Sequence, residues 1–152
     1  MERPHVERNY RSRRRLQQLT DDLADDRRTG TTGGSSMSGL LLAHMAFWDR
    51  FVKERWEHAR RLGQPTPTSL DLSLADLVND ASVPGWSLIP AQDAAHMALA
   101  AADEVDGIIA VLPDGAVEAL LAAGWSSLLD RSVHRNEHLD AIERQVSAPD
   151  RA

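Results

Sequence analysis

The sequence predicts an all-α protein, a four-helix bundle with a long crossover between helices 2 and 3, on three observations. Apolar residues recur at helical spacing in four separate segments, while the alternating pattern of half-buried strands is scarce. Clusters of Gly, Pro, Ser and Thr punctuate the chain between those segments. The connection over residues 64–89 is too long for a tight hairpin and suits a crossover between distant helices. With 152 residues the chain is expected to form a single domain, 1–152, with residues 1–6 and 147–152 disordered.

The first helix is expected from about Glu7 to Asp26, where Leu16, Leu19 and Leu23 share a face. It stops before Thr29–Ser36, a Gly/Ser/Thr linker whose serines can cap the next helix. That linker lacks the Gly-Lys-Ser/Thr ending of a phosphate loop. The second helix spans about Met37–Leu62, with Leu40, His44, Phe47, Phe51 and His58 on one face, and Gly63-Gln64-Pro65 ends it. The crossover holds a short helical turn at Leu74–Asn79, then Val83-Pro84-Gly85-Trp86. The third helix opens with Pro90 in the first turn and runs to Leu112 on a stripe of Met97, Ala101, Val105, Ile108 and Leu112. The fourth segment, about Ala116–Val146, has a break near Gly124 and an apolar stripe of Leu128, Leu139, Ile142 and Val146.

Composition narrows the chemistry. With no cysteine there is no disulfide, thiolate metal site or cysteine nucleophile, so thiol chemistry would need an external thiol. The N-terminal residues carry no apolar run of a secretory signal, and no stretch approaches the ~18 apolar residues of a membrane span. A cytoplasmic protein with no membrane partner is therefore expected. Net charge is −6, and residues 62–130 carry ten acids and no Lys or Arg. Arg11, Arg13, Arg14 and Arg15 cluster, but Gln17, Gln18, Asp21 and Asp22 follow them as on an ordinary solvated helix, and no nucleic-acid motif accompanies them. Nucleic-acid binding is not expected.

The histidines carry the most information. His134 and His138 stand four residues apart, so on a helix they lie one above the other and can close on one ion. His44 could add a ligand from a second helix, leaving a coordination position open as catalytic sites do. Taken alone, a histidine on an apolar face is more often a satisfied core residue, and surface histidines also pair at this spacing by chance. His58 is fourteen residues from His44, about 21 Å along a helix, and cannot share its ion. His96 reads as solvent-exposed and His5 as part of a frayed terminus. His134-Arg135-Asn136-Glu137-His138 also matches the inverted zinc-protease pattern, whose further ligand lies far downstream; fourteen residues follow His138.

Leu42-Ala43-His44-Met45-Ala46-Phe47-Trp48-Asp49 and Asp130-Arg131-Ser132-Val133-His134-Arg135-Asn136-Glu137-His138-Leu139-Asp140-Ala141-Ile142 together resemble the DinB-like superfamily. Within it they are most similar to the branch related to the N-terminal domain of mycothiol-dependent maleylpyruvate isomerase. The resemblance implies a DinB/YfiT-like four-helix bundle that binds a divalent metal through His44, His134 and His138. It also implies a low-molecular-weight thiol such as mycothiol as co-substrate, a small-molecule electrophile as substrate, and a homodimer. Relatives often carry Gly-Trp-Ser before the second helix, where this chain has Gly33-Gly34-Ser35-Ser36-Met37; its own Gly85-Trp86-Ser87 falls in the crossover.

Imidazole ligands suit Zn, Ni, Fe or Mn without choosing among them. An ion there would lower the pKa of bound water or thiol. Asp130, one turn before His134, is a candidate partner for the outer N–H of that ring, and Arg131 and Arg135 are candidate anion-binding residues. For all three an ordinary solvated side chain is the competing reading. The functional expectation is a metal-dependent thiol transferase or isomerase. The alternatives are a non-catalytic metal- or small-molecule-binding bundle, of a kind that acts under stress, and a structural dimer with vestigial histidines.

Overall fold

The computed structural model describes residues 2–29, 36–69 and 72–147. Among the described residues the protein is all-helical, with six α-helices and no strand. They are α1 (Pro4–Thr29), α2 (Ser36–Arg61), α3 (Ala75–Trp86), α4 (Ala91–Ala110), α5 (Asp114–Ala122) and α6 (Ser132–Ser147). Helix α2 packs on α4, α4 on α1, α1 on α6 and α6 back on α2, while α3 rides on α2 in the crossover. No described helix is long and apolar enough to cross a membrane.

The core is apolar at both ends and polar between. One cluster gathers Leu16 and Leu23, Leu42, Met45, Ala94, Ala98 and Ala102, and Leu139 and Ile142. Five buried alanines on α4 (94, 95, 98, 101, 102) leave room for close helix approach. The second cluster joins Val52, Trp56, Val105, Ile109, Val117, Leu120, Leu128 and Leu129. Asn9, Ser12, Asp49, Asp106, Arg131 and Arg135 are buried too. In sequence Asp49 falls between the apolar sets Ala46 and Val52 on α2, and Arg131 and Arg135 between Leu129 and Leu139 before and along α6.

The helix boundaries depart from expectation in instructive ways. Helix α1 begins at Pro4, whose missing N–H costs nothing in a first turn, so residues 4–6 are helical rather than frayed. His5 is accordingly buried, at 5% exposure. The expected single turn in the crossover is a twelve-residue helix, α3, which continues through Pro84. Pro84 lies near the C-terminal end of α3, and Trp86 is the helix's buried side chain. Tertiary burial here overrides local breaker chemistry. Met97 is turned outward, since α4 buries the Ala94–Ala98–Ala102 side instead. The fourth segment is two helices joined by a 3₁₀ turn at Ser126–Leu128. Helices α2 and α5 end alike: Gly63 and Gly124 take positive φ of 67° and 74°. Gln64 and Trp125 then donate back to the carbonyls of Ala59 and Leu120 at 2.9 Å, closing a Schellman motif in each case. The linker residues 30–35 and the tail 148–152 lie outside the described residues, as does the side chain of Val146.

Candidate metal centre

Helix α6 carries two of the three histidines, and its start is fixed from outside. Asn9 of α1 accepts through Oδ1 from the backbone N–H of Arg131 (2.8 Å) and of Ser132 (3.1 Å), while its Nδ2 donates to the Leu129 carbonyl at 2.8 Å. These are N–H groups that a helix cannot satisfy internally. Asp130 adds a local cap, accepting from the Ser132 backbone N–H at 3.2 Å and from its hydroxyl at 2.5 Å. With the helix start fixed, His134 sits in the first turn of α6 and His138 one turn on.

The three imidazoles converge. His44 Nε2 lies 3.0 Å from His134 Nε2, and His138 Nε2 lies 3.2 Å from the same atom. Ring centroids are 5.1 Å apart for His44–His134 and 4.7 Å apart for each of the other two pairs. An ion about 2.0–2.1 Å from each nitrogen sets neighbouring ligands about 2.8–3.0 Å apart at right angles and about 3.3–3.4 Å apart at tetrahedral angles. The observed separations fall across that range, so the cluster could hold a metal ion.

Electrostatics keep these rings neutral. The pKa of His134 is pushed down to about 2, first by burial and then by the adjacent Arg131. Burial, then the charge of His138, takes His44 down to about 4. His138 is lowered as well, again chiefly by burial. A neutral imidazole keeps the lone pair that a metal requires. Among the described residues the hydrogen bonds of the rings run to one another and to Arg131, with no carboxylate among them.

Aromatic side chains wall the His44 side. Trp86 meets the His44 ring edge-on at 5.4 Å between centroids, and Trp48 lies at 6.4 Å. Phe47 packs against both tryptophans, at 5.2 and 5.4 Å. Trp48 donates its indole N–H to Asn79 Oδ1 at 2.9 Å, which ties α3 to α2 beside the site.

The three flanking candidates are placed differently from expectation. Asp130 caps α6 and accepts from Arg8 Nε at 2.8 Å, so it is occupied away from the outer nitrogen of His134. Although burial raises its pKa, the hydrogen bonds from Ser132 and Arg8 leave it lowered overall. Arg135 is not an exposed anion-binding group. Its side chain is fully buried, with Nε donating to Asp49 Oδ2 at 2.7 Å and the two terminal nitrogens to Asp106 at 3.0 and 2.8 Å. Arg131 is buried as well, donating from Nε to Asp49 Oδ1 at 2.8 Å and from Nη1 to the Ser127 carbonyl at 2.9 Å. Its remaining nitrogen, Nη2, stands 3.5 Å from His134 Nδ1. Among the other histidines, His58 and His96 are exposed, and His5 is buried with no partner for its Nε2 among the described residues. Of the basic cluster, Arg11 pairs with Glu7, Arg13 with Asp103 and Asp106, and Arg15 with Asp140 and Glu143.

Sequence reasoning passed over Asp49, Asp106, Asn9 and Trp86. A signal existed for two of them. Asp106 interrupts the Val105–Ile109 stripe, and Asp49 follows His44 by five residues on a largely apolar helix; ionisable groups in such places need buried partners. Comparison with protein-family models, curated proteins and solved structures returned no match.

Proposed function

We propose that this chain is a divalent-metal protein built as a four-helix bundle of the DinB-like kind. In this reading α1, α2, α4 and α6 are the bundle helices, and α3 and α5 are additions within their connections. We further propose that it acts as a thiol-dependent S-transferase or isomerase on a small electrophile, with mycothiol the thiol that the motif resemblance favours. The single observation that carries the metal reading is the convergence of three neutral Nε2 atoms, at 3.0 and 3.2 Å, from two different helices. Three protein ligands leave part of a coordination sphere free, as in catalytic rather than structural sites. Zn, Ni, Fe and Mn all fit such a donor set.

A divalent ion at this place supplies Lewis acidity, lowering the pKa of a thiol or water bound beside it. The residues of the chain do the rest. His44, His134 and His138 hold the ion and present it from one side. Trp48, Trp86 and Phe47 form an apolar wall next to His44, suited to packing the carbon skeleton of a small electrophile and to limiting the access of water. Because the chain has no cysteine, the thiol is external.

A second reading has an observation of its own. No carboxylate hydrogen-bonds to the rings among the described residues, so the triad lacks the carboxylate partner that often orients a ligating imidazole. That suits a non-catalytic metal-binding bundle, which needs the ion held and nothing more. Conjugation assays separate the two: metal-loaded protein is incubated with mycothiol, bacillithiol or glutathione and a model electrophile. The transferase reading expects turnover that chelation abolishes and that His138→Ala lacks. Stoichiometric metal binding without turnover on any thiol leaves the binding protein.

A further inference from the structure

The buried charge layer next to the triad presents an inverted partner to one of its rings. A histidine that ligates metal through Nε2 carries its proton on Nδ1 and commonly donates that N–H to a carboxylate, carbonyl or water. The atom facing His134 Nδ1 is instead a donor, Nη2 of Arg131, at 3.5 Å. The Arg131 side chain is 7% exposed, and its other two nitrogens are committed to Asp49 and to the Ser127 carbonyl. A guanidinium has donors only, so this contact favours Nδ1 as acceptor and places the His134 proton on Nε2. There the proton is shared toward the Nε2 atoms of His44 and His138. To ligate as a neutral ring, His134 must carry the proton on Nδ1, where N–H meets N–H and a cation faces a cation.

Asp49 stands on the other side of the balance. It accepts from Arg131 Nε and from Arg135 Nε at 2.8 and 2.7 Å, and its side chain is 2% exposed. With Asp106 paired to Arg135, two carboxylates offset the two buried guanidiniums of this layer, and the part-exposed Arg13 reaches Asp106 from its edge. Removing any one of the four leaves a net charge close to the triad in a poorly solvated interior, where screening is weak.

We propose that Arg131 and Asp49 are positioning residues that tune the metal centre in opposite directions: Arg131, set against the outer nitrogen of His134, loosens its hold on a cation, and Asp49 tightens it. This rests on the reading of the triad as a metal centre. A partly opposed ligand leaves the ion more electrophilic and less tightly kept, whereas an arrangement built only for retention would place an acceptor at Nδ1.

The test compares Arg131→Met and Asp49→Asn with the wild-type chain, each freed of metal by chelation. Co(II) affinity is read by visible absorption, Zn(II) affinity by competition, and unfolding by urea. Both variants are expected to unfold at lower urea. Their metal affinities are expected to separate, with Arg131→Met binding about tenfold tighter or more and Asp49→Asn about tenfold weaker or more, within the range of outer-partner effects at metal sites. A merely structural network would weaken both variants together; parallel loss, or no change in either, overturns the inference while leaving the metal centre intact. Should a variant fail to fold, ¹⁵N-labelled wild-type protein gives the same answer. In the chelated chain His134 is expected to carry its proton on Nε2, and on Nδ1 after Zn(II) is added. A proton on Nδ1 before metal is added overturns the inference. A wild-type chain that binds neither Co(II) nor Zn(II) overturns it together with the metal reading.

Discussion

Helix α6, with the residue just before it, presents one buried and one half-buried polar pair at the same spacing, and they could hardly differ more. Arg131 and Arg135 point into a layer where carboxylates meet them at 2.7 to 2.8 Å. His134 and His138 point toward a third histidine, with nitrogen facing nitrogen. In the first cluster opposite charges answer one another, and folding needs nothing more. In the second, like acceptors are gathered where only a shared proton or a cation can reconcile them. The contrast teaches how to separate a structural polar core from a binding site. Both are withdrawn from solvent, the arginines fully and the histidines in part, and the chemistry of the partners distinguishes them.

The sharpest way to break this comparison is to remove one member of each cluster. Arg135→Met leaves Asp49 and Asp106 short of a buried counter-charge and should cost about 3–5 kcal/mol. His138→Ala, in chelated protein, should cost only ~1 kcal/mol, the middle of the range for point substitutions. Urea unfolding of both variants reads the difference directly; equal losses would mean that the triad is as structural as the ion pairs.

Adding metal should reverse the order of importance. Zn(II) at a hundred times its dissociation constant should stabilise the wild-type chain by about 2.7 kcal/mol. The same addition should leave the unfolding midpoint of His138→Ala in place. Arg135→Met, if it folds, should still respond to metal.

Acid sharpens the comparison next. Unfolded histidines protonate near 6.5, whereas His44 in the fold protonates near 4 and His134 near 2. Between these values the unfolded chain binds more protons than the native one, so stability rises with pH through that window and falls as pH drops from about 6.5 toward 4. Unfolding midpoints of chelated protein at pH 7.5 and 5 should differ in that direction. Replacing His44 and His134 by Gln should flatten the dependence, and an equally steep curve would show that other groups cause it.

The smallest effect concerns the wall. Trp48→Phe keeps the ring but removes the donor to Asn79, a hydrogen bond worth about 0.5–1.5 kcal/mol. Hydrogen exchange should quicken in α3, with the amides of α4 and α6 unchanged. Faster exchange throughout the chain would mean that α3 is not a separately held element.

Much of this site was legible because it obeys local periodicity. The i, i+4 spacing of His134 and His138 and the apolar setting of His44 are sequence properties, and their convergence follows once α2 packs on α6. The charge layer was harder to read. Arg135 sits four residues before Leu139 and seven before Ile142, on the buried stripe itself, yet arginine is ordinarily a surface residue. Only partners on α2 and α4, 86 and 29 residues away, make its burial tolerable. The Asn9 cap on α6 spans 122 residues and leaves no local trace. Pro84-Gly85 reads as a breaker, and burial of Trp86 against His44 and Phe47 is what carries α3 through it.

The central claim is that three imidazoles from two helices bind one divalent ion. X-ray absorption on tag-free protein loaded with Zn(II) tests it most directly. The account predicts one ion per chain with three imidazole nitrogens at about 2.0–2.1 Å, and loss of the ion on substituting any one of His44, His134 or His138 by Ala. A chain that takes up no divalent ion, or that holds it equally well after all three substitutions, would contradict it.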